Sequence, residues 1–271
     1  MPAVIQAALL GIVQGLTEFL PVSSSAHLIL ARAFFGFDGD KFGLSFDVAC
    51  HVGTLIAVLI YFRVEVMKMV AALPRLFDPS HDPDARLIWL LVVGTLPAVV
   101  IGLLFNTAIE EHLRTVQVAA LTLALGAIGF FIADATGRNQ REQSSLTMAE
   151  AWWLGCAQAV ALIPGVSRSG ITITVALLMG LKRADAARFI FLLAIPAILA
   201  AALHEAPRVI KAGLGGETGT LFLIGIAASA IVGYGAIAYF VRYLARRSLA
   251  VFAWYRLALA FMVVVWLLRA A

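Results

Sequence analysis

Six long apolar stretches constrain the fold of this chain more than any other feature of its sequence. They cover residues 45–62, 87–105, 115–133, 188–204, 219–241 and 250–268. An α-helix needs about 20 apolar residues, and at least about 17, to cross the hydrocarbon core of a bilayer. The chain is 62% hydrophobic and 13% charged, whereas soluble domains contain about 25% charged residues. We therefore predict an all-α polytopic membrane protein whose residues 1–271 form one membrane domain with six spans.

Two further apolar regions are interrupted in the middle by proline, glycine and serine. Residues 3–31 contain a break at Pro21–Ser25, and residues 150–181 contain a break at Pro164–Gly170. Non-helical backbone at membrane depth is tolerated only where it is buried in protein or lines a wet cavity. We therefore predict that each region is a re-entrant helix–loop–helix hairpin and that the two breaks meet near the middle of the membrane.

The two halves of the chain resemble each other around these breaks. A shift of 144 residues places Gly11 on Gly155 and matches serines of the first break with serines of the second. A shift of 131 residues places Gly94 on Gly225. These matches indicate an internal duplication in which loop lengths have changed between the halves.

The duplication divides the chain into repeat 1, at about residues 1–133, and repeat 2, at about residues 150–271. Each repeat then holds one re-entrant hairpin and three spans, so it crosses the membrane an odd number of times. The second repeat should therefore be inverted relative to the first, as in many transporters. The predicted architecture is six spans and two re-entrant hairpins in two inverted repeats.

The basic residues predict the orientation of the chain. Twelve Lys and Arg lie in loops 63–86, 134–149, 182–188 and 242–247, against six on the opposite side. The positive-inside rule places the richer side in the cytoplasm. The net charge of +4 fits this bias toward the inner leaflet and does not indicate a nucleic-acid partner.

The residues at the breaks are suited to binding an anion. A helix that begins after a break points free N–H groups and its positive dipole end into the gap. Arg168 adds a fixed charge with a planar fork that suits phosphate oxygens, and an Arg at mid-membrane costs at least about 2.5–3.5 kcal/mol. Further hydroxyl donors come from Ser23, Ser24, Ser25, Ser167, Ser169 and Thr172.

Polar residues of the first hairpin supply the remaining parts of a phosphoryl-transfer site. Such a site needs a nucleophile, a proton handler and groups that stabilise charge at phosphorus. His27 or Ser24 can be the nucleophile, Glu18 the base or a metal ligand, and Arg168 the clamp. Glu18 and Gln14 also offer oxygen ligands for a hard cation such as Mg²⁺ or Ca²⁺.

Other polar residues near the spans are interpreted as structural. Asp47 and His51 share a helix face at the start of a span, and a metal site there is the less favoured interpretation. His204 and Glu205 lie at the end of another span and are interpreted as interfacial residues.

Two motifs closely resemble those of the undecaprenyl-diphosphate phosphatase family, also called bacitracin-resistance proteins. Gln14–Ser24, followed by His27, is similar to the family's (Glu/Gln)-x-x-x-Glu motif with its serines and histidine. Pro164–Gly170, followed by Thr172, is similar to the family's PGxSRSxxT signature. The resemblance extends over the whole chain.

The resemblance implies hydrolysis of the terminal phosphate of C55 isoprenyl diphosphate in the bacterial cytoplasmic membrane. The monophosphate product is the lipid carrier of peptidoglycan synthesis, and its recycling confers bacitracin resistance. The family's site opens to the periplasmic side and depends on a divalent cation. A homodimer is left open.

By residue, the resemblance implies two groups of functional side chains. The catalytic group is Glu18, Ser24, His27 and Arg168. The substrate-binding group is Gln14, Ser23, Ser25, Gly165, Ser167, Ser169 and Thr172. Many members of the family carry Glu where this chain has Gln14. Because an amide cannot act as a base, Glu18 is then expected to act as the general base or as the carboxylate ligand of the metal.

Two other functions share features with this sequence. Lipid phosphatases of the PAP2 type need a histidine soon after the Ser-Arg pair, whereas the next histidine after Arg168 is His204. The stronger alternative is a lipid-phosphate transporter or flippase built on the same inverted repeat.

Overall fold

The structure is a computed structural model that describes residues 1–39, 41–77, 82–212 and 215–270. These described residues form eleven α-helices and no β-strand. Six of the helices are long and apolar enough to cross a membrane, which confirms the predicted all-α polytopic class. They are α3 (Leu44–Tyr61), α5 (Pro83–Ala108), α6 (Val116–Thr136), α9 (Arg183–Ala212), α10 (Gly216–Leu244) and α11 (Ala250–Ala270).

The remaining helices include the two predicted hairpins. The first hairpin is α1 (Ala3–Phe19) and α2 (Ser24–Phe35), and the second is α7 (Met148–Val160) and α8 (Arg168–Leu178). Leu20 is extended, with φ −68° and ψ 140°, because the residue before a proline is disfavoured in the α region. The chain therefore leaves the helix just before Pro21.

Each break ends at a serine that caps the next helix. The Ser23 hydroxyl accepts a hydrogen bond from the N–H of Ala26, and the Ser167 hydroxyl accepts one from the N–H of Gly170. Ser23 has φ 73° and Ser167 has φ 72°, a region that non-glycine residues rarely adopt and that functional sites often retain. The two breaks thus share the same unusual local geometry.

The helices of the two repeats pack crosswise. Helix α1 packs on α10, and α7 packs on α5. A Cβ on Gly11 would lie 2.7 Å from the carbonyl oxygen of Gly225, and a Cβ on Gly155 would lie 2.6 Å from that of Gly94. Gly11 matches Gly155 in sequence, and Gly94 matches Gly225, so equivalent close contacts join equivalent helices. The duplication and the inverted orientation of the repeats both stay predictions.

Residues 63–86, interpreted above as a charged loop, contain helix α4 (Arg63–Ala72) and a 3₁₀ turn at Leu73–Arg75. Residues 78–81 of this connection lie outside the described residues. Another short element, a π-helical turn at Ile109–Leu113, leads from α5 into α6.

An aromatic cluster packs against the end of α1, next to the first break. The ring of Phe19, the last residue of α1, meets Phe191 of α9 edge-on at a centroid distance of 5.4 Å. Phe191 in turn contacts Phe62 and Phe240 at 6.3 and 5.8 Å. All four rings are buried. This packing holds the end of α1, and with it the neighbouring Glu18, against the long spans.

Candidate active site

Glu18 is the centre of the site. Its Oε2 accepts hydrogen bonds from Gln14 Nε2 at 2.9 Å and from the Ser24 hydroxyl at 2.7 Å. Its Oε1 forms an ion pair with Arg168, and His51 Nε2 lies 3.3 Å from Oε2. The structure therefore brings the two broken segments together through Glu18 and Arg168, as the sequence predicted.

The ion pair between Glu18 and Arg168 is largely removed from solvent. The side chain of Glu18 is 5% exposed and that of Arg168 is 20% exposed. Only Nη2 of Arg168 contacts the carboxylate, whereas a guanidinium carries five N–H donors. Donors of Arg168 are therefore available for an anion beside Glu18.

Paired hydroxyls line both breaks. The hydroxyl oxygens of Ser23 and Ser25 are 3.2 Å apart, and those of Ser167 and Ser169 are 3.3 Å apart. The N–H of Gly165 donates to the Ser25 hydroxyl at 3.3 Å. The breaks thus contact each other directly, with matching serine pairs on the two sides.

Residues of both breaks line a cavity of about 270 Å³. The residues from the breaks form its polar floor, and the residues of its walls, which come mainly from α5 and α9, are mostly apolar. The polar lining residues are Glu18, Ser23, Ser24, Ser25, His51, Gln158, Ser167, Arg168 and His204. The wall residues include Val99, Leu103, Leu162, Ile198 and Ala201. A cavity of this kind suits an amphiphile with an anionic head.

Several predicted site residues lie behind this lining. Gly165 is held against α6 by the Thr122 hydroxyl, which donates to the carbonyl of neighbouring Pro164 at 2.7 Å. The Ser169 hydroxyl donates to the carbonyl of Leu20 at 3.3 Å. Thr172 is fully buried and donates to the carbonyl of Arg168 at 2.5 Å. These residues support the breaks from within the protein.

His27 also lies outside the cavity lining. Its Nδ1 is 2.8 Å from the carbonyl oxygen of Ser23, and its Nε2 is 2.7 Å from the Tyr255 hydroxyl. Because a carbonyl can only accept, Nδ1 carries the hydrogen and donates, and in the neutral imidazole Nε2 then accepts from the Tyr255 hydroxyl. The two rings are stacked, with centroids 5.7 Å apart. In this arrangement the Nε2 lone pair of His27 is occupied.

Gln14 is the other candidate metal ligand. It is fully buried, and its Oε1 has no hydrogen-bond partner. No group of three or more His, Cys, Asp and Glu that could hold a metal occurs among the described residues. Mg²⁺ is commonly bound through one or two carboxylates together with substrate phosphates. The Glu18 carboxylate and the Gln14 Oε1 are the oxygen donor types that such a cation prefers, and the cation itself stays a prediction.

His51 was not predicted as a site residue. Its Nδ1 is 2.7 Å from the carbonyl oxygen of Asp47, and its Nε2 points at Glu18. The carboxylate of Asp47 is instead engaged by Arg32 and Arg114. The packing of α3 against α1 brings His51 to Glu18, and the positions of Arg32 on α2 and Arg114 before α6 bring them to Asp47. The sequence shows no more than two polar residues one helical turn apart.

Arg256 was overlooked as well. It lies within the sixth predicted span, is fully buried, and contacts both breaks. The available signal was a single Arg inside an apolar stretch, which is costly in a membrane unless it has partners.

Comparison with known proteins finds one matching family and named relatives that cover almost the whole chain. The family described as "Bacitracin resistance protein BacA" matches residues 7–262. An "Undecaprenyl-diphosphatase" of Rubrobacter xylanophilus is 48% identical over 271 residues, covering 99% of this chain and 100% of the relative. Proteins of the same name from Trichlorobacter lovleyi and Thioalkalivibrio sulfidiphilus are 43% and 45% identical, covering 94% of this chain and 93% and 95% of the relatives.

Proposed function

This chain belongs to the bacitracin resistance protein BacA family, and we propose that it is an undecaprenyl-diphosphatase. It removes the terminal phosphate of undecaprenyl diphosphate and leaves undecaprenyl phosphate. The observation that carries this proposal is the position of Glu18, which contacts the Ser24 hydroxyl and Arg168 in one cavity. The polar floor suits the diphosphate, and the apolar walls suit the first isoprene units.

Ser24 is the nucleophile that the geometry favours. Its hydroxyl lines the cavity and donates to Glu18, which is the arrangement of a nucleophile beside its base. His27 lies behind the lining, with Nε2 bonded to Tyr255. In this reading His27 supports Ser23, and through it the break, and does not attack phosphorus.

The reaction then proceeds in two steps. First, the Ser24 oxygen attacks the terminal phosphorus, its proton passes to Glu18, and the bond from that phosphorus to the bridging oxygen breaks. Its electron pair leaves with undecaprenyl phosphate. Second, water attacks the phosphorus of the phosphoserine, and the bond from that phosphorus to the Ser24 oxygen breaks. Glu18 returns the proton to the Ser24 oxygen, and inorganic phosphate departs with the hydrogens of water.

Positive charge and oriented donors stabilise the transferring phosphoryl group. Arg168 supplies charged N–H donors, and a preorganised donor of an oxyanion hole is worth about 10²–10³-fold in rate. The hydroxyls of Ser23, Ser25 and Ser167 lie on the same floor. A divalent cation held by Glu18 and Gln14 Oε1 would neutralise charge on the phosphate oxygens.

The cavity lies toward the outer side of the membrane if the charge asymmetry sets the orientation. Its walls come from residues 98–103 of α5 and 197–204 of α9, which are in the later halves of helices that begin on the basic side. The site therefore opens to the periplasm. The product, undecaprenyl phosphate, returns to the pool of lipid carrier for peptidoglycan synthesis, and this recycling accounts for bacitracin resistance.

A lipid transporter remains the second candidate, favoured by the crosswise packing of duplicated helices around two breaks. Hydrolysis proceeds in detergent micelles, whereas vectorial transport needs a sealed compartment. Phosphate release from a C15 or C55 diphosphate by the purified protein in micelles therefore separates the two. We expect release by the wild type and losses of at least about 100-fold in Glu18→Ala and Arg168→Ala. Normal turnover by both variants would refute the site.

A further inference from the structure

Arg256 is a buried cation whose partners are almost all backbone carbonyls. It has no exposed surface, and it forms no ion pair within the described residues. Its guanidinium donates at 3.0–3.3 Å to the carbonyl oxygens of Pro21, Thr122, Leu123, Gly165 and Val166. One side chain therefore contacts the first break, the second break and α6.

The three carbonyls from the breaks need such a partner. Pro21 belongs to the first break, and Gly165 and Val166 belong to the second, where no helix continues to supply N–H donors. An unsatisfied polar group away from water costs several kcal/mol. The planar fork of Arg reaches several acceptors at once, whereas the ammonium of Lys has three donors around a single nitrogen.

Helix α6 is shaped around the guanidinium. A Cβ on Gly126 would overlap Nη2 and Cζ of Arg256, so only glycine leaves room there. The guanidinium carbon lies 5.1 Å from the centroid of the Phe130 ring, one turn further along α6, a cation–π distance. Gly126, Phe130 and the carbonyls of Thr122 and Leu123 thus form a fitted socket for this side chain.

We propose that Arg256 is a positioning residue for the phosphatase reaction, holding the two breaks at the separation that aligns Ser24 with Arg168. Pro21 is three residues before Ser24, and Val166 is two residues before Arg168, so a shift of either carbonyl moves a reacting group. A misplacement of about 1 Å costs about 100-fold in rate. This inference rests on the proposed function and adds a residue that does not touch substrate.

The test compares Arg256→Lys with Arg269→Lys, an exposed arginine on the same helix. Folded protein is collected by size exclusion in detergent, and kcat and KM are measured with a C15 diphosphate. We expect kcat of Arg256→Lys to fall about 100-fold with KM changed by less than about threefold, and Arg269→Lys to match the wild type. A purely structural role lowers the folded yield but leaves kcat of the folded fraction unchanged, and that result would overturn the proposal. A change confined to KM would also overturn it.

A second pair of variants keeps the test decisive if Arg256→Lys is not recovered folded. Gly126→Ala displaces the guanidinium without removing it, whereas Gly129→Ala, on the same helix, meets only an ordinary contact of 3.6 Å with Thr174. We expect the kcat loss in Gly126→Ala alone. Equal kcat in the two folded variants would overturn the proposal.

Hydrogen exchange separates this inference from the proposed function, because it needs no turnover. In Arg256→Lys or Gly126→Ala, amides of residues 20–23 and 161–167 should both exchange faster than in the matched controls. Unchanged exchange in both segments would overturn the positioning role, even if the wild type hydrolysed no diphosphate. A wild type without activity would overturn the phosphatase assignment alone.

Discussion

The hydroxyl of Ser24 lies 2.7 Å from Oε2 of Glu18, although the first residue begins a helix and the second nearly ends the preceding one. The break at Pro21 turns the chain so that the two side chains face each other over the cavity floor. Arg168 reaches the opposite oxygen of the same carboxylate from the second hairpin. The proposed mechanism depends on this contact between the proposed nucleophile and base, and on the ion pair that the Arg168 guanidinium forms with the same carboxylate.

The first prediction concerns the covalent intermediate. Because Ser24 faces Glu18 and His27 is bonded to Tyr255, quenching the wild type during turnover should trap phosphoserine at residue 24. Phosphoserine survives acid and phosphohistidine does not, so an acid quench followed by peptide mass spectrometry identifies the residue. Ser24→Ala should yield no phosphoenzyme and His27→Ala should still yield it. An acid-labile phosphohistidine at residue 27 would reverse this assignment.

The second prediction concerns the buried carboxylate of Asp47, which is 4% exposed and pairs with Arg32 and Arg114. Asp47→Asn leaves two arginines without their charge partner, and breaking a buried pair costs about 3–5 kcal/mol. We expect a clear fall in melting temperature in detergent. Glu142→Gln, which removes an exposed pair with Lys182, is the control and should leave the melting temperature unchanged. Equal shifts in the two variants would contradict a structural role for Asp47.

The third prediction concerns pH and the start of α7. Two N–H donors of Arg141 bind Glu150 at 2.5 and 3.0 Å, and this hydrogen bonding, with the N–H and hydroxyl of Thr147, lowers the pKa of Glu150 to about 2. Since the folded state holds this carboxylate ionised, its stabilisation is complete above the ordinary pKa near 4.5 and is lost as the pH falls toward 2.

Glu150→Gln should therefore melt below the wild type at pH 7, and the difference should shrink between pH 4.5 and pH 2. Melting temperatures in detergent across this range provide the measurement. A difference between the two proteins that stays constant over the range would show that the charge of Glu150 contributes nothing.

The fourth prediction concerns orientation. In a background without Cys50 and Cys156, a cysteine replacing the exposed Phe77 should react with an impermeant thiol reagent only from the cytoplasmic side. A cysteine replacing Glu111, in the turn before α6, should react only from outside. The opposite labelling pattern would invert the predicted topology and place the cavity on the cytoplasmic side.

Local sequence patterns predicted the spans and the breaks well. Hydropathy and proline act on neighbouring residues, so Leu20, Pro21 and the six apolar stretches could be interpreted without knowledge of the packing. The meeting of the two breaks was also predictable, because non-helical backbone at membrane depth must be buried in protein or line a wet cavity. The direct ion pair of Glu18 with Arg168 was not predicted.

The remaining parts of the site depend on how whole helices rotate and pack. Whether His27 faces the cavity or Tyr255 is decided by the rotation of α2, which a lone histidine does not reveal. His51 reaches Glu18 only because α3 packs on α1. The carbonyl partners of Arg256 come from the first break, the second break and α6, and no pattern in the sequence of α11 predicts them.

The fifth prediction is the most direct test of the account: a double-mutant cycle on Glu18 and Arg168, measured as phosphate release from a C15 diphosphate in micelles. Glu18→Gln and Arg168→Gln should each lower kcat/KM by at least about 100-fold. Because the two residues act as one unit, the double variant should lose about as much as the worse single variant. Losses that multiply in the double variant, or a single variant with wild-type turnover, would contradict a site built jointly by the two broken segments.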